Sequence, residues 1–296
     1  MGFKLFLILE KFLIILPKAT RKAFFIFLGN VAYYLSPRYR KVGFINLDFV
    51  FGDTLSKEEK REIVKYSFKN LLLNFLHLME FRHMSKEDLK RKIGIKNLQA
   101  VQKAHNERKA VIYITSHYCS WEICGTSVGI FAEPIAAVYK KMKNTHYQNW
   151  VLESRSSFGN ISLEKSNVIK PLIRLIKEGK GSGILIDTGL NKREGVEVEF
   201  LGKTVRQTST PAYLARKYNA AIIPVIVKTE DEENYSLTFF DEIAVEKSDD
   251  EERDIQKATQ LQADWLSKII REDPKFWFWI HRRFKSDHKE IYEKKD

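Results

Sequence analysis

From Ala110 onward, short β-branched runs alternate with stretches of helical spacing, and this alternation admits few folds. The candidate strands are Val111–Thr115, Ile135–Tyr139, Ile184–Asp187 and Ile222–Val227, and the helices fall near residues 120–131, 145–158, 170–178 and 208–219. Strands joined by crossover helices build a largely parallel sheet. Tyr235–Phe240 reads as an edge strand. Ile255, Ala258, Leu261, Trp265 and Ile269 form one face of a last helix, closed by Asp273-Pro274. Upstream, Ser56-Lys57-Glu58-Glu59 is a capping box opening a long helix. Its stripe of Val64, Phe68, Leu71, Leu72, Phe75 and Met79 suits a core, and an apolar groove would need the same residues. Basic, polar sequence from Lys86 to Arg108 reads as short surface helices. The expected fold is α/β, a mostly parallel central sheet with flanking helices.

The N-terminus is different in kind. Residues 3–16 are mostly apolar but carry Glu10 and Lys11, and as a helix they span about 21 Å, short of a hydrocarbon core of roughly 30 Å. Pro17 ends the run; Lys18, Arg21 and Lys22 precede a second apolar stretch from Ala23 to Leu35. No A-x-A cleavage site follows, which argues against a removed signal peptide. The alternatives are an interfacial or hairpin anchor, a single tilted span through Pro17, or two helices buried on the domain. Aromatic and aliphatic residues beside basic ones favour a membrane anchor over residues 1–35, with one α/β domain occupying 36–296. The chain carries 50 Lys and Arg against 38 Asp and Glu, a net charge of +12, which suits an anionic partner, although composition alone is as well explained by a solvated Lys-rich surface. Nucleic acid would fit that charge, but no nucleic-acid module pattern is present and the apolar N-terminus speaks against one. Cys119 and Cys124 lack the Cys/His spacing of a zinc site and are too few for a disulfide framework.

The strongest local signal is Thr115-Ser116-His117-Tyr118-Cys119-Ser120-Trp121-Glu122, between a candidate strand and a candidate helix. Ligands of open α/β sheets collect at the carboxyl ends of the strands, where His117 should lie. On one continuous helix, positions five apart point about 140° away from each other. With Ser120 as the N-cap, Glu122 instead falls in the first helical turn, and the preceding loop can fold His117 onto it. A carboxylate on one imidazole nitrogen fixes the tautomer and leaves the other nitrogen to take a proton. The plain alternative is a histidine closing the strand end while Glu122 complements the helix dipole. A Cys119–His117 nucleophile pair is a further alternative, weaker because buried cysteines are usually inert.

His-x-x-x-x-Glu with Trp121 before the acid resembles the signature of the lipid A late acyltransferases, and the resemblance continues in order along roughly residues 40–285. Val138-Tyr139-Lys140-Lys141-Met142-Lys143-Asn144 is similar to the family's Val-Tyr-Arg-x-x-x-Asn block, and Arg155 falls in its basic block upstream of Gly159. Leu175 to Gly179 and Gly183 to Asp187 resemble its Leu-Lys-x-Gly and Asp-Gln region, although Thr188 stands where Gln is usual. Phe200-Leu201-Gly202, the helix beginning at Pro211, and Trp279-Ile280-His281-Arg282-Arg283-Phe284-Lys285 resemble the blocks that follow. Cys119-Ser120 replaces a more typical Gly-Asn. The resemblance implies a glycerolipid-acyltransferase-like fold at the cytoplasmic face of the cell inner membrane. It implies transfer of a fatty acyl group from acyl carrier protein to a hydroxyl of a lipid A precursor, without metal or cofactor. His117 would be the general base and Glu122 its orienting partner. Arg155 and Lys140 would hold a phosphate or sugar carboxylate of the acceptor, Asp187 would orient its polar groups, and Arg282 and Arg283 would contact a lipid headgroup. For Lys140, ordinary surface solvation is the simpler role. A phospholipid-type acyltransferase or a thioesterase would use similar residues.

Overall fold

Seven strands make the central sheet of the computed structural model, which describes residues 2–191 and 194–293. They are β1 (Ile93–Lys96), β2 (Val111–Thr115), β3 (Ile135–Tyr139), β4 (Ile161–Glu164), β5 (Gly181–Leu185), β8 (Ala221–Lys228) and β9 (Tyr235–Phe239). Their order across the sheet is β1-β9-β8-β2-β5-β3-β4, and every neighbouring pair is parallel except β8–β9. The central strands are apolar on both faces: Val111 to Ile114 and Ala221 to Val227 are all buried, as a sheet covered on both sides requires. Two expectations shift here. β5 begins at Gly181 and leaves Asp187 beyond its end, and β9 is no edge strand because β1 pairs along its outer side. A separate hairpin, β6 (Val196–Phe200) and β7 (Lys203–Gln207), turns through Leu201 and Gly202, both at positive φ. Such a two-residue turn matches the twist of the flanking strands.

Helices α7 (Trp121–Phe131), α8 (Thr145–Ser156), α9 (Ile169–Lys177) and α10 (Thr210–Tyr218) fall close to the expected positions, and α11 (Glu251–Glu272) closes the series. Residues 86–108 hold two short helices, α5 (Lys86–Lys90) and α6 (Gln99–Asn106), with β1 between them. α4 (Lys57–Phe81) begins with the expected capping box, in which Ser56 accepts from Glu59 and Glu59 from Ser56. Along its stripe Val64, Phe68 and Met79 are buried, Leu72 and Phe75 are half-buried, and Leu71 is exposed.

The N-terminal segment is three helices: α1 (Gly2–Ile15), α2 (Lys18–Leu35) and α3 (Pro37–Phe51). None among the described residues is long and apolar enough to cross a membrane, which overturns the expected N-terminal membrane anchor. The same finding speaks against the expected integral placement of the chain in the cell inner membrane. Pro17 separates the two apolar runs, and Glu10 within the first and Arg21 between them are engaged with the rest of the protein. Glu10 accepts from the Trp150 indole at 2.9 Å, and Phe6 packs edge-on against the same ring. Arg21 pairs with Glu80 at 2.7 Å and donates to the carbonyls of Ile14 and Leu16, closing the end of α1. α2 lies so close to α4 that a Cβ at Gly29 would stand 2.7 Å from the Lys69 Cα. Leu5, Ile8, Phe12 and Phe27 remain exposed on the outer side of these helices.

Candidate active site

Parallel pairing of β2 with β5 sets Thr115 opposite Leu185, so two residues further on His117 stands opposite Asp187. Both lie just past the carboxyl ends of their strands. The His117 backbone N–H donates to Asp187 Oδ2 at 2.9 Å, and its Nδ1 lies 3.0 Å from Oδ1. The Trp277 indole donates to the same Oδ2 at 3.0 Å. Asp187 is thus a fully buried carboxylate with three donors around it. Burial works to raise its pKa, but the charge of His117 and these bonds hold it well below the usual carboxylate range. Burial likewise works to lower the His117 pKa, and the charge and hydrogen bond of Asp187 override it, so the imidazole titrates above its ordinary value. An ionised Asp187 only accepts, which puts the ring hydrogen on Nδ1 and leaves the Nε2 lone pair free when the ring is neutral. A quarter of the His117 side chain remains exposed, while Asp187 is sealed.

Glu122 sits in the first turn of α7, as expected, but its carboxylate is engaged elsewhere. Arg155, from the last turn of α8, grips it with two bonds, Nε to Oε2 at 2.9 Å and Nη2 to Oε1 at 2.6 Å. The Trp121 indole adds a third at 3.2 Å. The carboxylate that orients His117 is therefore Asp187, and Glu122 stands behind it as the partner of Arg155, whose pKa it raises. Ser120 occupies the N-cap position, yet its hydroxyl bonds His77 Nδ1 at 2.7 Å, and Asn74 Oδ1 takes the Glu122 N–H in its place. Asn70 and Asn74 also both donate to the Cys119 carbonyl. That residue needs the support: its φ of 47° lies in the left-handed region, which favours glycine. Cys119 is buried and its thiol is pushed up to about 12, which leaves it protonated at neutral pH and unfit as a nucleophile.

The segment after α11 forms the other wall. Its Phe278 N–H donates to the His117 carbonyl at 3.0 Å, and Tyr118 bridges to Trp277. Asn46 of α3 holds this segment through the carbonyls of Trp279 and His281 at 2.6 and 2.8 Å. The rings of Trp121, Phe278 and His281 surround the imidazole at 5.2, 6.1 and 6.3 Å. Of the expected acceptor residues, Arg282 stands over the Tyr292 ring, while Arg283 is buried against Phe200 and donates to the Arg206 carbonyl, out of reach of a ligand. Lys140 is exposed just beyond the end of β3, two strands from β2, without a hydrogen bond or ion pair to any described residue. Trp277, Asn74 and Asn70 carry no motif signal. The two asparagines are visible only as polar positions four apart within an apolar helix. Among the described residues no three His, Cys, Asp or Glu side chains converge as metal ligands.

A histidine paired with a sealed carboxylate at the carboxyl edge of a parallel sheet, with aromatic walls around it, is an arrangement able to take a proton beside an apolar group. The model of the bacterial lipid A biosynthesis acyltransferases matches residues 1–286, and the chain belongs to that family. It is therefore an acyltransferase. It is 21% identical over 269 residues to the lipid A biosynthesis lauroyltransferase of Escherichia coli (strain K12), covering 88% of this chain and 83% of that protein. The palmitoleoyltransferase of the same organism is likewise 21% identical, over 265 residues with the same coverage. A lipid A biosynthesis acyltransferase of Haemophilus influenzae is 21% identical over 252 residues, 84% of this chain and 77% of that protein.

Proposed function

We propose that this acyltransferase moves a fatty acyl group from acyl carrier protein to a hydroxyl of a lipid A precursor, with His117 as general base. The observation that carries the reading is the His117 Nδ1–Asp187 bond, which supports a free Nε2 lone pair on a partly exposed ring. Nε2 takes the proton of the acceptor hydroxyl as its oxygen attacks the thioester carbonyl carbon. The C–S bond then breaks, and the imidazolium returns the proton to the departing thiolate. Asp187 stabilises the imidazolium in between. Glu122 contributes through Arg155, holding a cation at the site's edge where acceptor phosphate or developing negative charge is stabilised. Arg282 and Lys140 offer further anion contacts, and Arg283 supports the wall from behind.

A chain with a +12 charge favours acidic acyl carrier protein over acyl-CoA through faster encounter, an effect screened over about 8 Å at physiological salt. The test compares kcat/KM for both donors with equal acyl chains across a salt series, following acceptor mass by mass spectrometry. A carrier-protein preference that fades with salt is expected. Equal use of both with equal salt slopes rules out the donor, and acyl release to water without acceptor acylation rules out transfer. Offering a phospholipid acceptor in competition separates the lipid A reading from a related acyltransferase.

A further inference from the structure

We propose that the cleft between the α2–α3 turn and residues 278–285 binds a lipid phosphate monoester, with Arg38, Arg282 and Lys285 taking the phosphate and Phe68, Leu71 and Ile280 the adjoining chain. The cleft holds about 700 Å³, within the range of small-molecule sites, and no Asp or Glu lines it. This lack of a counter-charge is informative beside several arginines elsewhere that are paired: Arg21 with Glu80, Arg155 with Glu122, Arg216 with Asp254. Arg38 and Lys285 are exposed and their side chains make no hydrogen bond or ion pair with any described residue, and among the described residues the Arg282 guanidinium meets the face of Tyr292 without an acidic partner. Three cations brought together without an acid repel one another unless an anion joins them. The guanidinium forks of Arg38 and Arg282 match phosphate geometry, and Lys285 adds a point charge.

The floor decides what carries that phosphate. Ala32, Val42, Phe68, Leu71 and Ile280 make it apolar, which offers nothing to free phosphate and a good surface to a chain. Leu71, otherwise an exposed break in the α4 stripe, finds its role here. Position links the cleft to chemistry. Phe278 and His281 line it and are also the rings beside His117, so a lipid seated there brings its polar part to the base. The inference rests on the acyl-transfer reading above and specifies where its acceptor is held.

The test measures fluorescence anisotropy of labelled phosphatidic acid, and of diacylglycerol with the same chains and label, in neutral detergent micelles with the full chain. Phosphatidic acid should bind about tenfold or more tightly than diacylglycerol. Arg38→Gln with Lys285→Gln should weaken it by about tenfold, while Lys165→Gln with Lys170→Gln, an equal charge change on exposed residues outside the cleft, should change it by less than about twofold. Millimolar inorganic phosphate should not displace the lipid. Equal losses in both double variants, equal binding of the two lipids, or displacement by phosphate alone would overturn the proposal. Circular dichroism checks that the variants fold. His117→Ala should bind phosphatidic acid normally. If it also transfers acyl groups normally, the base assignment fails while the cleft stands; if it is inactive and the lipid pattern above is absent, the cleft fails alone.

Discussion

Asp187→Asn separates two jobs of one carboxylate. Oδ2 accepts from the His117 N–H and the Trp277 indole, and Oδ1 takes His117 Nδ1. An amide has one acceptor end and must choose. If its oxygen faces the imidazole, its NH2 faces two buried donors, at a cost of about 1–3 kcal/mol each, or about 2–6 together. If its oxygen faces those two donors, its NH2 faces Nδ1, which then accepts, and the ring hydrogen moves to Nε2. The second orientation is the cheaper by this count. It keeps the fold, with a melting shift equivalent to about 1 kcal/mol, but leaves His117 in the tautomer that cannot take a proton. Activity should fall on the order of 10³- to 10⁴-fold, the scale seen when an analogous carboxylate is amidated in a protease triad. The sign of the pH effect is also set. Asp187 holds the His117 pKa above its ordinary value, so removing its charge moves the acid limb of the kcat/KM profile to lower pH. The assay is acyl transfer followed by mass spectrometry across pH, beside thermal unfolding. An Asp187→Asn variant within about tenfold of wild type, with its acid limb unmoved, would refute the reasoning.

Glu122→Gln should cost about 2–3 kcal/mol of stability by breaking the two-bond grip on Arg155, measured by denaturant unfolding, and should move the acid limb less than Asp187→Asn. An equal or larger limb shift would return the orienting role to Glu122. Cys119→Ala should retain transfer, and the native wild-type thiol should resist alkylation, because burial holds its pKa near 12; loss of transfer in this variant alone would point to a covalent route. Gly29→Ala should destabilise by about 1–3 kcal/mol, since its methyl meets the α4 backbone and cannot be accommodated by a side-chain rotation. A neutral effect on melting would mean that α2 is not packed on α4 as described.

What the sequence disclosed, and what it did not, follows from contact range. Val111–Thr115 and Ile135–Tyr139 were legible because each is a short β-branched or apolar run, and both strands appear with those bounds. β5 opens with Gly-Ser-Gly, which has no strand signal; small residues fit there because a Cβ at Gly183 would crowd Ile135 Cδ1 at 2.9 Å. The β6–β7 hairpin turns on Leu201-Gly202, without the Asn-Gly or Asp-Gly pair that announces such a turn. At the site, His117 and Asp187 each read as strand-end residues. Their pairing did not, because β5 inserts between β2 and β3 and so brings together residues 70 apart in sequence. Glu122 looked like the partner because it is near in sequence, whereas Arg155, on a different helix, claims it. The N-terminal helices misled for the same reason. Their composition suits a bilayer interface, and the contacts that hold them, Arg21 with Glu80 and Glu10 with Trp150, lie 59 and 140 residues away.

The central claim is that the His117 imidazole takes the acceptor proton, and chemical rescue tests it most directly. His117→Ala should lower acyl transfer by about 10³-fold or more, measured as acyl mass added to the acceptor. Added imidazole should restore part of that rate in proportion to its neutral form, while the folded protein and lipid binding are unchanged. His117→Ala that transfers within about tenfold of wild type, and does not respond to imidazole, would contradict the account.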